Sequence, residues 1–134
     1  MFTYSLTIQL HHTDAYDIIF FANQFRFCHD VYQAWLASVG LPLAKNREKS
    51  THVAVVVHAE SDYQAPIELG DQLELRMVTG ALGTTSFTLD FTILNQKGIQ
   101  VGCARIVHVT VDAKTAQKIP LPSALREALE GNRT

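Results

Sequence analysis

A lone carboxylate, Asp14, lies between two segments with different hydrophobic periods. Before it, residues 2–10 alternate apolar and polar side chains, which is the period of a half-buried strand. After it, apolar side chains recur every three or four positions from Phe21 to Val39, which is the period of a helix. The sequence therefore predicts that Asp14 follows a strand end and lies within about one turn of a helix start.

Such a junction suits hydrolytic chemistry. The first N–H groups of a helix have no intrahelical acceptors and carry the positive end of the helix dipole, so they can stabilise a developing oxyanion. A carboxylate beside them can act as a base or as a nucleophile. The alternative is that Asp14 is an ordinary helix-entry or turn residue.

Other polar residues surround Asp14 in the sequence. His11 and His12 can bind metal or move protons, but successive strand residues point to opposite faces, so at most one is expected to face Asp14. We predict a structural or supporting role for these histidines. Asp17 is either a solvated carboxylate or a second site carboxylate, and Tyr16 either lines an acyl pocket or covers the surface.

The helix carries two further groups that resemble functional sites. Cys28 and His29 are adjacent, but neighbours on a helix do not face each other, so Cys28 is predicted to be a core thiol. Tyr32 and Trp35 fall on the apolar stripe, and core packing accounts for both. The remaining histidines do not have the spacing of metal ligands, because they fall on separate predicted strands: His52, His58 and His108.

Composition limits the class of protein. The 134 residues, 47% of them hydrophobic, suffice for one well-filled core, and we predict a single domain spanning 1–134. The net charge of −2 and the scattered basic residues argue against a nucleic-acid partner. No apolar run is long enough to span a membrane, and the N-terminus lacks the basic region of a signal peptide. Cys28 and Cys103 are predicted to be buried free thiols, and a cytoplasmic location follows from these features.

Beyond the helix the chain alternates strand-like runs with turns. Gly40 to Pro42 is expected to end the helix, and residues 45–50 are predicted to form a polar loop. Four strands in sequence predict an antiparallel meander around the broad apolar helix. The predicted strands are 52–63, 72–79, 86–94 and 99–111, separated by turns at 70–71, 80–83 and 95–98. In the last strand the predicted apolar face consists of Val101, Cys103, Val107, Val109 and Val111.

Three motifs resemble those of the hotdog-fold acyl-CoA thioesterases of the 4-hydroxybenzoyl-CoA thioesterase family, and the resemblance covers nearly the whole chain. The first is Thr13-Asp14, followed by the run Ile18 to Phe21 and Asn23. The second is Tyr63 to Pro66, leading to Gly70-Asp71. The third is His108 to Asp112, followed by Ile119-Pro120 before a short terminal helix. The chain departs from the family at Asp17, where many relatives carry glycine.

The resemblance implies an α+β hotdog fold, in which a curved antiparallel sheet of about five strands wraps around one long central helix. It implies that Asp14 is the catalytic carboxylate, as nucleophile or general base, and that the backbone N–H of Phe21 polarises the thioester carbonyl. Tyr16 and Asn23 are expected to bind substrate. Neither a metal nor a cofactor is expected. Family members are at least dimeric, with the active site at the subunit interface, which implies a homodimer or homotetramer here.

Within this family the chain looks most like the 1,4-dihydroxy-2-naphthoyl-CoA hydrolases of phylloquinone and menaquinone synthesis, and the expected partner is an acyl-CoA. The alternatives are a thioesterase for other aromatic or short-chain acyl-CoA esters, and a non-catalytic acyl-CoA-binding module. A hotdog dehydratase would need a catalytic histidine and a helix entry rich in proline and glycine. Residues 11–25 contain neither proline nor glycine, which argues against that activity.

Overall fold

The computed structural model describes residues 1–43 and 50–134. It contains five strands and two α-helices. In chain order these are β1 (Phe2–Thr7), α1 (Asn23–Ser38), β2 (His52–Tyr63), β3 (Gln72–Leu82), β4 (Ser86–Leu94), β5 (Gln100–Asp112) and α2 (Ser123–Glu130). A short 3-10 helix, Leu10–His12, follows β1. The predicted α+β class is confirmed, while the polar loop predicted at 45–50 lies, except for residue 50, outside the described residues.

The strands form one antiparallel sheet with the order β1-β3-β4-β5-β2. The predicted four-strand meander is therefore wrong in part. Strands β3, β4 and β5 do follow one another as hairpins, but β2 pairs with β5 at one edge, and β1 pairs with β3 at the other. Strand β3 also runs through the predicted turn at 80–83 as far as Leu82, with a register irregularity between Thr79 and Leu82.

One face of the sheet packs against α1. The alternation predicted for β3 and β4 is confirmed, because every second side chain is buried from Leu73 to Thr79 and from Phe87 to Ile93. The wide apolar stripe predicted for α1 is also buried over most of its length. The core that these elements share includes Phe27, Val31, Trp35, Leu36, Leu73, Leu75, Met77, Phe87, Leu89, Phe91 and Ile93.

The apolar face predicted for β5 is wrong in part: Val101, Val109 and Val111 are buried, but Cys103 and Val107 are only half-buried. Ala104, Ile106 and His108 pair with core-facing residues of β4, so these three side chains face α1. The side chains of Cys103 and Val107 alternate with them and therefore face away from the core. Both faces of β5 are largely apolar, so the alternation alone did not show which face turns inward. A register irregularity at the start of the strand places Val101 in the core.

Candidate active site

The segment around Asp14 folds as a small hairpin. Thr13 and Ile19 form an isolated antiparallel bridge, and the backbone N–H of Asp14 donates to the carbonyl oxygen of Ile18 at 3.0 Å. The N–H of Asp17 donates to the carbonyl oxygen of Asp14 at 3.1 Å, which closes a turn at the tip. Asp14 is thus the first residue of a hydrogen-bonded turn.

The carboxylate of Asp14 is half-buried and partly free. Its Oδ1 accepts a hydrogen bond from the backbone N–H of Tyr16 at 2.9 Å, which fixes the side-chain rotamer. Within the described ranges, its Oδ2 accepts no hydrogen bond and is open to a ligand or a water molecule. One oxygen is therefore held while the other is available for chemistry.

Asp17 has a positive φ of 63°, the left-handed conformation that glycine adopts most readily. This accounts for the glycine that the resemblance places at this position. Aspartate tolerates the conformation better than most residues, and the turn keeps its shape. The side chain of Asp17 is exposed at the hairpin tip.

The two histidines before Asp14 do not alternate as strand residues. They lie in the 3-10 helix, and their ring centroids are 4.1 Å apart, so the prediction that they point to opposite faces is wrong. The Nδ1 of His12 accepts a hydrogen bond from the N–H of Gln9, and its ring packs edge-on against Phe27. Burial is the main cause that lowers the pKa of His12, and the nearby His11 lowers it further. These contacts give His12 a structural role.

Helix α1 begins at Asn23, two residues after Phe21, where the helical period begins. Because Asn23 is nine residues after Asp14, the prediction of a helix start within about one turn of Asp14 is wrong. No side chain among residues 1–43 and 50–134 caps the helix, because the residue at the cap position is Ala22. Within the part of the chain that the structure describes, neither Phe21 nor Ala22 has an acceptor for its backbone N–H. The helix start therefore presents free donors beside the hairpin that carries Asp14.

Asn23 joins the helix start to the hairpin. Its side chain is buried, and its Nδ2 donates to the carbonyl oxygen of His12 at 2.7 Å. Its Oδ1 accepts a hydrogen bond from Nη1 of Arg26 at 2.8 Å. Both ends of the amide are thus engaged within the protein. The predicted contact of Asn23 with substrate stays a prediction.

The second motif lies beside the first. The hydroxyl of Tyr63 donates to the carbonyl oxygen of Phe21 at 2.6 Å, and the N–H of Ile19 donates to the carbonyl oxygen of Ile67 at 2.9 Å. An open groove of about 390 Å³ lies between the two segments. It is lined by Ile18, Ile19, Phe21, Tyr63, Gln64, Ala65, Pro66 and Ile67.

The groove is mostly apolar and its rim is aromatic. Phe20, Phe21 and Tyr63 are all exposed, and Phe21 is 61% exposed. Tyr16 is 84% exposed at the hairpin tip and does not line the groove within this chain. Exposed aromatic side chains around a concave apolar surface are typical of a ligand or protein-binding surface.

The two cysteines lie away from this groove. Burial raises the pKa of the Cys28 thiol to about 12, so the prediction of an inert core thiol is confirmed. Cys103 is free but only half-buried, which corrects the prediction that it is buried. Its Sγ lies 3.7 Å from a carboxylate oxygen of Asp62 on the outer face of the sheet.

The remaining predicted positions are dispersed. Tyr32 and Trp35 are buried in the core, as predicted. Among residues 1–43 and 50–134, no cluster of three or more histidine, cysteine or acidic side chains is arranged to hold a metal ion. His108 is buried against Tyr32 and Phe87, and burial lowers its pKa to about 4. In the same ranges, no helix has the length and hydropathy needed to cross a membrane.

Sequence reasoning missed Gln24. It is completely buried in the first turn of α1, where its amide donates to Ser61 and Asp62 of β2. The signal was a polar residue beside an apolar stripe, because position 24 lies one turn from Cys28 on the same face. A buried amide in that place must find partners, and here it finds them on a neighbouring strand.

Comparison with known proteins identifies the family of the chain. The family model described as the thioesterase-like superfamily matches residues 8–129. A 1,4-dihydroxy-2-naphthoyl-CoA hydrolase from Synechococcus elongatus is 32% identical over 130 residues, which are 96% of this chain and 95% of that relative. The corresponding hydrolase from Thermosynechococcus vestitus is 30% identical and covers 91% of this chain and 84% of its own.

A solved structure shows the same architecture. The crystal structure of a 1,4-dihydroxy-2-naphthoyl-CoA thioesterase from Synechocystis superposes with a TM-score of 0.90 at 27% identity. The match covers 96% of this chain and 94% of that one. The sheet wrapped around one central helix is the hotdog fold, as predicted. The chain belongs to the thioesterase-like superfamily.

Proposed function

We propose that this protein hydrolyses an acyl-CoA thioester to a free acid and CoA, with Asp14 as the catalytic carboxylate. The observation that carries the proposal is the hairpin itself. It holds Asp14 with one carboxylate oxygen free and leads into the start of α1, where the N–H groups of Phe21 and Ala22 have no acceptor within the described residues. Membership of the thioesterase-like superfamily supports the reaction type.

Two routes are open to Asp14. As a nucleophile, its carboxylate oxygen attacks the thioester carbon, the carbon–sulfur bond breaks, and the CoA thiolate leaves behind a mixed anhydride that water then hydrolyses. As a general base, Asp14 takes a proton from a water molecule that attacks the same carbon, and the thiolate leaves without a covalent intermediate. A thiolate is a good leaving group, so neither route needs a strong general acid.

The backbone N–H of Phe21 is proposed to stabilise the oxyanion that both routes form. It lies two residues before the start of α1, where the helix dipole adds to the hydrogen bond. Loss of one such donor commonly costs about 2.7–4 kcal/mol of transition-state stabilisation. The hydroxyl of Tyr63 donates to the carbonyl oxygen of the same residue and thereby holds the backbone on the C-terminal side of the donor.

The proposed substrate is 1,4-dihydroxy-2-naphthoyl-CoA, which gives the acid used in phylloquinone and menaquinone synthesis. Relatives bearing that name cover almost the whole chain. A flat bicyclic acyl group can stack on the exposed rings of Tyr16, Phe20 and Phe21. Asn23 is proposed to support this site by holding the helix start on the hairpin. Another aromatic or short-chain acyl-CoA remains the second candidate, since the groove is open.

We propose that the active protein is a homodimer or a homotetramer. Strand β2 is a sheet edge of 12 residues, and a long unpaired edge favours pairing with a second copy. Its central residues Val55, Val56 and Val57 are exposed. The exposed Tyr63 and Phe21 lie at the end of the same strand, so a second subunit there would cover the open groove.

Two further properties are proposed on separate grounds. One hydrophobic core contains residues from Ile8 to Leu129, which supports a single domain over 1–134. Both cysteines are free, which supports a cytoplasmic location. Water is the only second reactant that the proposed hydrolysis needs, so no cofactor is invoked.

The first experiment measures thiol release from a panel of CoA esters: 1,4-dihydroxy-2-naphthoyl, benzoyl, hydroxybenzoyl and short aliphatic. We expect the naphthoyl ester to be hydrolysed fastest. Equal rates across the panel would keep the thioesterase and reject the quinone substrate. If the parent protein releases no thiol from any ester but still binds CoA esters, it is a binding module instead.

Water enriched in the heavy oxygen isotope identifies the covalent route when water attacks the aspartyl carbon of the anhydride. Incorporation of label into the carboxylate of Asp14 identifies the covalent route, because only an anhydride allows solvent oxygen to enter that side chain. Mass spectrometry of the peptide that contains Asp14 measures the label. The same peptide from Asp14→Asn, treated identically, is the control.

A further inference from the structure

Gln24 is a buried polar residue to which the reaction described above assigns no role. It is 0% exposed, and its Nε2 donates to Oγ of Ser61 at 2.5 Å and to the carbonyl oxygen of Asp62 at 2.9 Å. Ser61 in turn donates to the carbonyl oxygen of Cys103 at 3.1 Å. The first turn of α1 is thereby connected through a chain of hydrogen bonds to β2 and β5.

The backbone beneath Gln24 is shaped to admit it. A Cβ atom at Gly102 would lie only 2.8 Å from both Nε2 and Oε1 of Gln24. Any other residue at position 102 would therefore push the amide away from β2. Gly102 pairs with Tyr63 across the β2–β5 ladder, so the space for Gln24 is created next to the tyrosine that contacts Phe21.

The backbone of Gln24 also contacts Phe21, the residue whose N–H is the proposed oxyanion donor. The backbone N–H of Gln24 donates to the carbonyl oxygen of Phe21 at 3.3 Å, and the hydroxyl of Tyr63 donates to that same oxygen at 2.6 Å. Asn23 ties the opposite side of the turn to His12. The backbone carbonyl of Phe21 is thus held by hydrogen bonds from Tyr63 of β2 and from Gln24. The neighbouring residue Asn23 is held by its hydrogen bond to His12.

The cost of this arrangement is visible at Gln24. Its Oε1 is buried and has no hydrogen-bond partner among the described residues. An apolar side chain would avoid that penalty, which for a buried polar group is about 1–3 kcal/mol. A polar side chain that is only half satisfied is a poor choice for stability alone. The two hydrogen bonds that Gln24 donates therefore contribute more to holding the first turn of α1 in place than to the stability of the fold.

We propose that Gln24 is a positioning residue for catalysis, which holds the first turn of α1 on β2 so that the N–H of Phe21 meets the thioester carbonyl. This inference rests on the proposed hydrolysis. A displacement of about 1 Å can cost up to a hundredfold in rate, so loss of the two Gln24 donors affects turnover more than binding.

The test uses Gln24→Met, which keeps length and volume but removes both donors. We expect kcat to fall about tenfold to a hundredfold, with a much smaller change in KM. Gln33→Met is the matched control, because Gln33 lies on the exposed face of the same helix. A fall in thermal stability with unchanged kcat would show a merely structural role and would overturn the proposal.

A spectroscopic measurement tests the role of Gln24 without relying on turnover. The probe is a ketone analogue of the acyl-CoA in which a methylene group replaces the sulfur, so that the carbonyl remains but no thiolate can leave. Hydrogen bonding from Phe21 should lower its carbonyl stretching frequency in the parent protein. In Gln24→Met we expect the frequency to move back toward that of the free ketone.

The outcomes are distinct. A bound ketone with the same lowered frequency in parent and Gln24→Met overturns the role of Gln24 and leaves the proposed hydrolysis intact. A ketone that does not bind the parent overturns the proposed hydrolysis itself. Gly102→Ala is the second variant, because its Cβ would displace the Gln24 amide. Alone it should lower kcat as Gln24→Met does. Combined with Gln24→Met it should lower kcat little further.

Discussion

The two ends of α1 are held by different forces. In the C-terminal half, Val31, Trp35 and Leu36 are buried among the apolar side chains of the sheet. In the first turn, the buried side chains are the amides of Asn23 and Gln24, and they donate to specific oxygens on the hairpin and on β2. Apolar burial has no direction, whereas a hydrogen bond fixes distance and angle. The C-terminal half of the helix therefore stabilises the fold, and the first turn fixes the position of the backbone groups beside the site.

The largest effect on stability is expected in the C-terminal half of α1. Trp35→Ala should lower the free energy of unfolding by about 3–5 kcal/mol, because it removes a large buried ring and leaves a cavity. The fraction that remains folded should keep the parental kcat. Urea unfolding measures the first quantity, and kcat per folded molecule measures the second. A large loss of kcat in the folded fraction would contradict the division between the two ends.

Beside the first turn of α1, Phe21→Pro removes the proposed oxyanion donor, since proline has no N–H. We expect kcat to fall about 10²–10³-fold. Phe21→Ala is the matched control, because it removes the aromatic ring and keeps the N–H. It should affect KM for the aromatic ester more than kcat. Equal kcat in the two variants would show that the Phe21 N–H is not the donor.

The same contrast explains what the sequence revealed. Period and apolarity identified the buried stripe of α1 and the alternation of β3 and β4, because burial depends on residue type at each position. The order of strands followed from no local pattern. The pairing of β2 with β5 joins segments that are far apart in the sequence. Both faces of β5 carry apolar side chains, so the sequence did not show which face packs against α1.

The site was predictable only where a motif identified it. Asp14 and helix α1 were predicted from the resemblance and the change of period. Neither could show where the helix begins, that Asp17 has a positive φ or that the histidines form a 3-10 turn. Gln24 has only a weak local signal, its place one turn from Cys28 on the apolar face of the helix. Its role depends on two strands more than 30 residues away and on the space above Gly102.

Acid should weaken the core through His108. Burial lowers its pKa to about 4 from an unfolded value near 6.5, so the unfolded chain binds a proton in a range where the folded chain does not. The free energy of unfolding therefore keeps the whole contribution of neutral His108 above pH 6.5. It decreases by up to about 3 kcal/mol as the pH falls toward 4. His108→Phe should remove this part of the loss. A pH dependence unchanged by His108→Phe in urea titrations would show that another group is responsible.

The smallest effect is expected at the hairpin tip. Asp17→Gly should raise the free energy of unfolding by about 0.5–1 kcal/mol, because glycine adopts the positive φ without strain. Turnover should stay parental. Asp17→Ala, which keeps the strain and lacks the carboxylate, separates the two properties. A loss of turnover in both variants would make Asp17 part of the site.

Asp14→Asn tests the account most directly, because it keeps the shape of the side chain and removes its ability to act as base or as the same nucleophile. We predict that the variant unfolds at the parental urea concentration and still binds CoA esters. Its rate of thiol release from 1,4-dihydroxy-2-naphthoyl-CoA should fall by about 10²–10⁴-fold. Hydrolysis at the parental rate by the folded variant would contradict the assignment of Asp14 as the catalytic carboxylate.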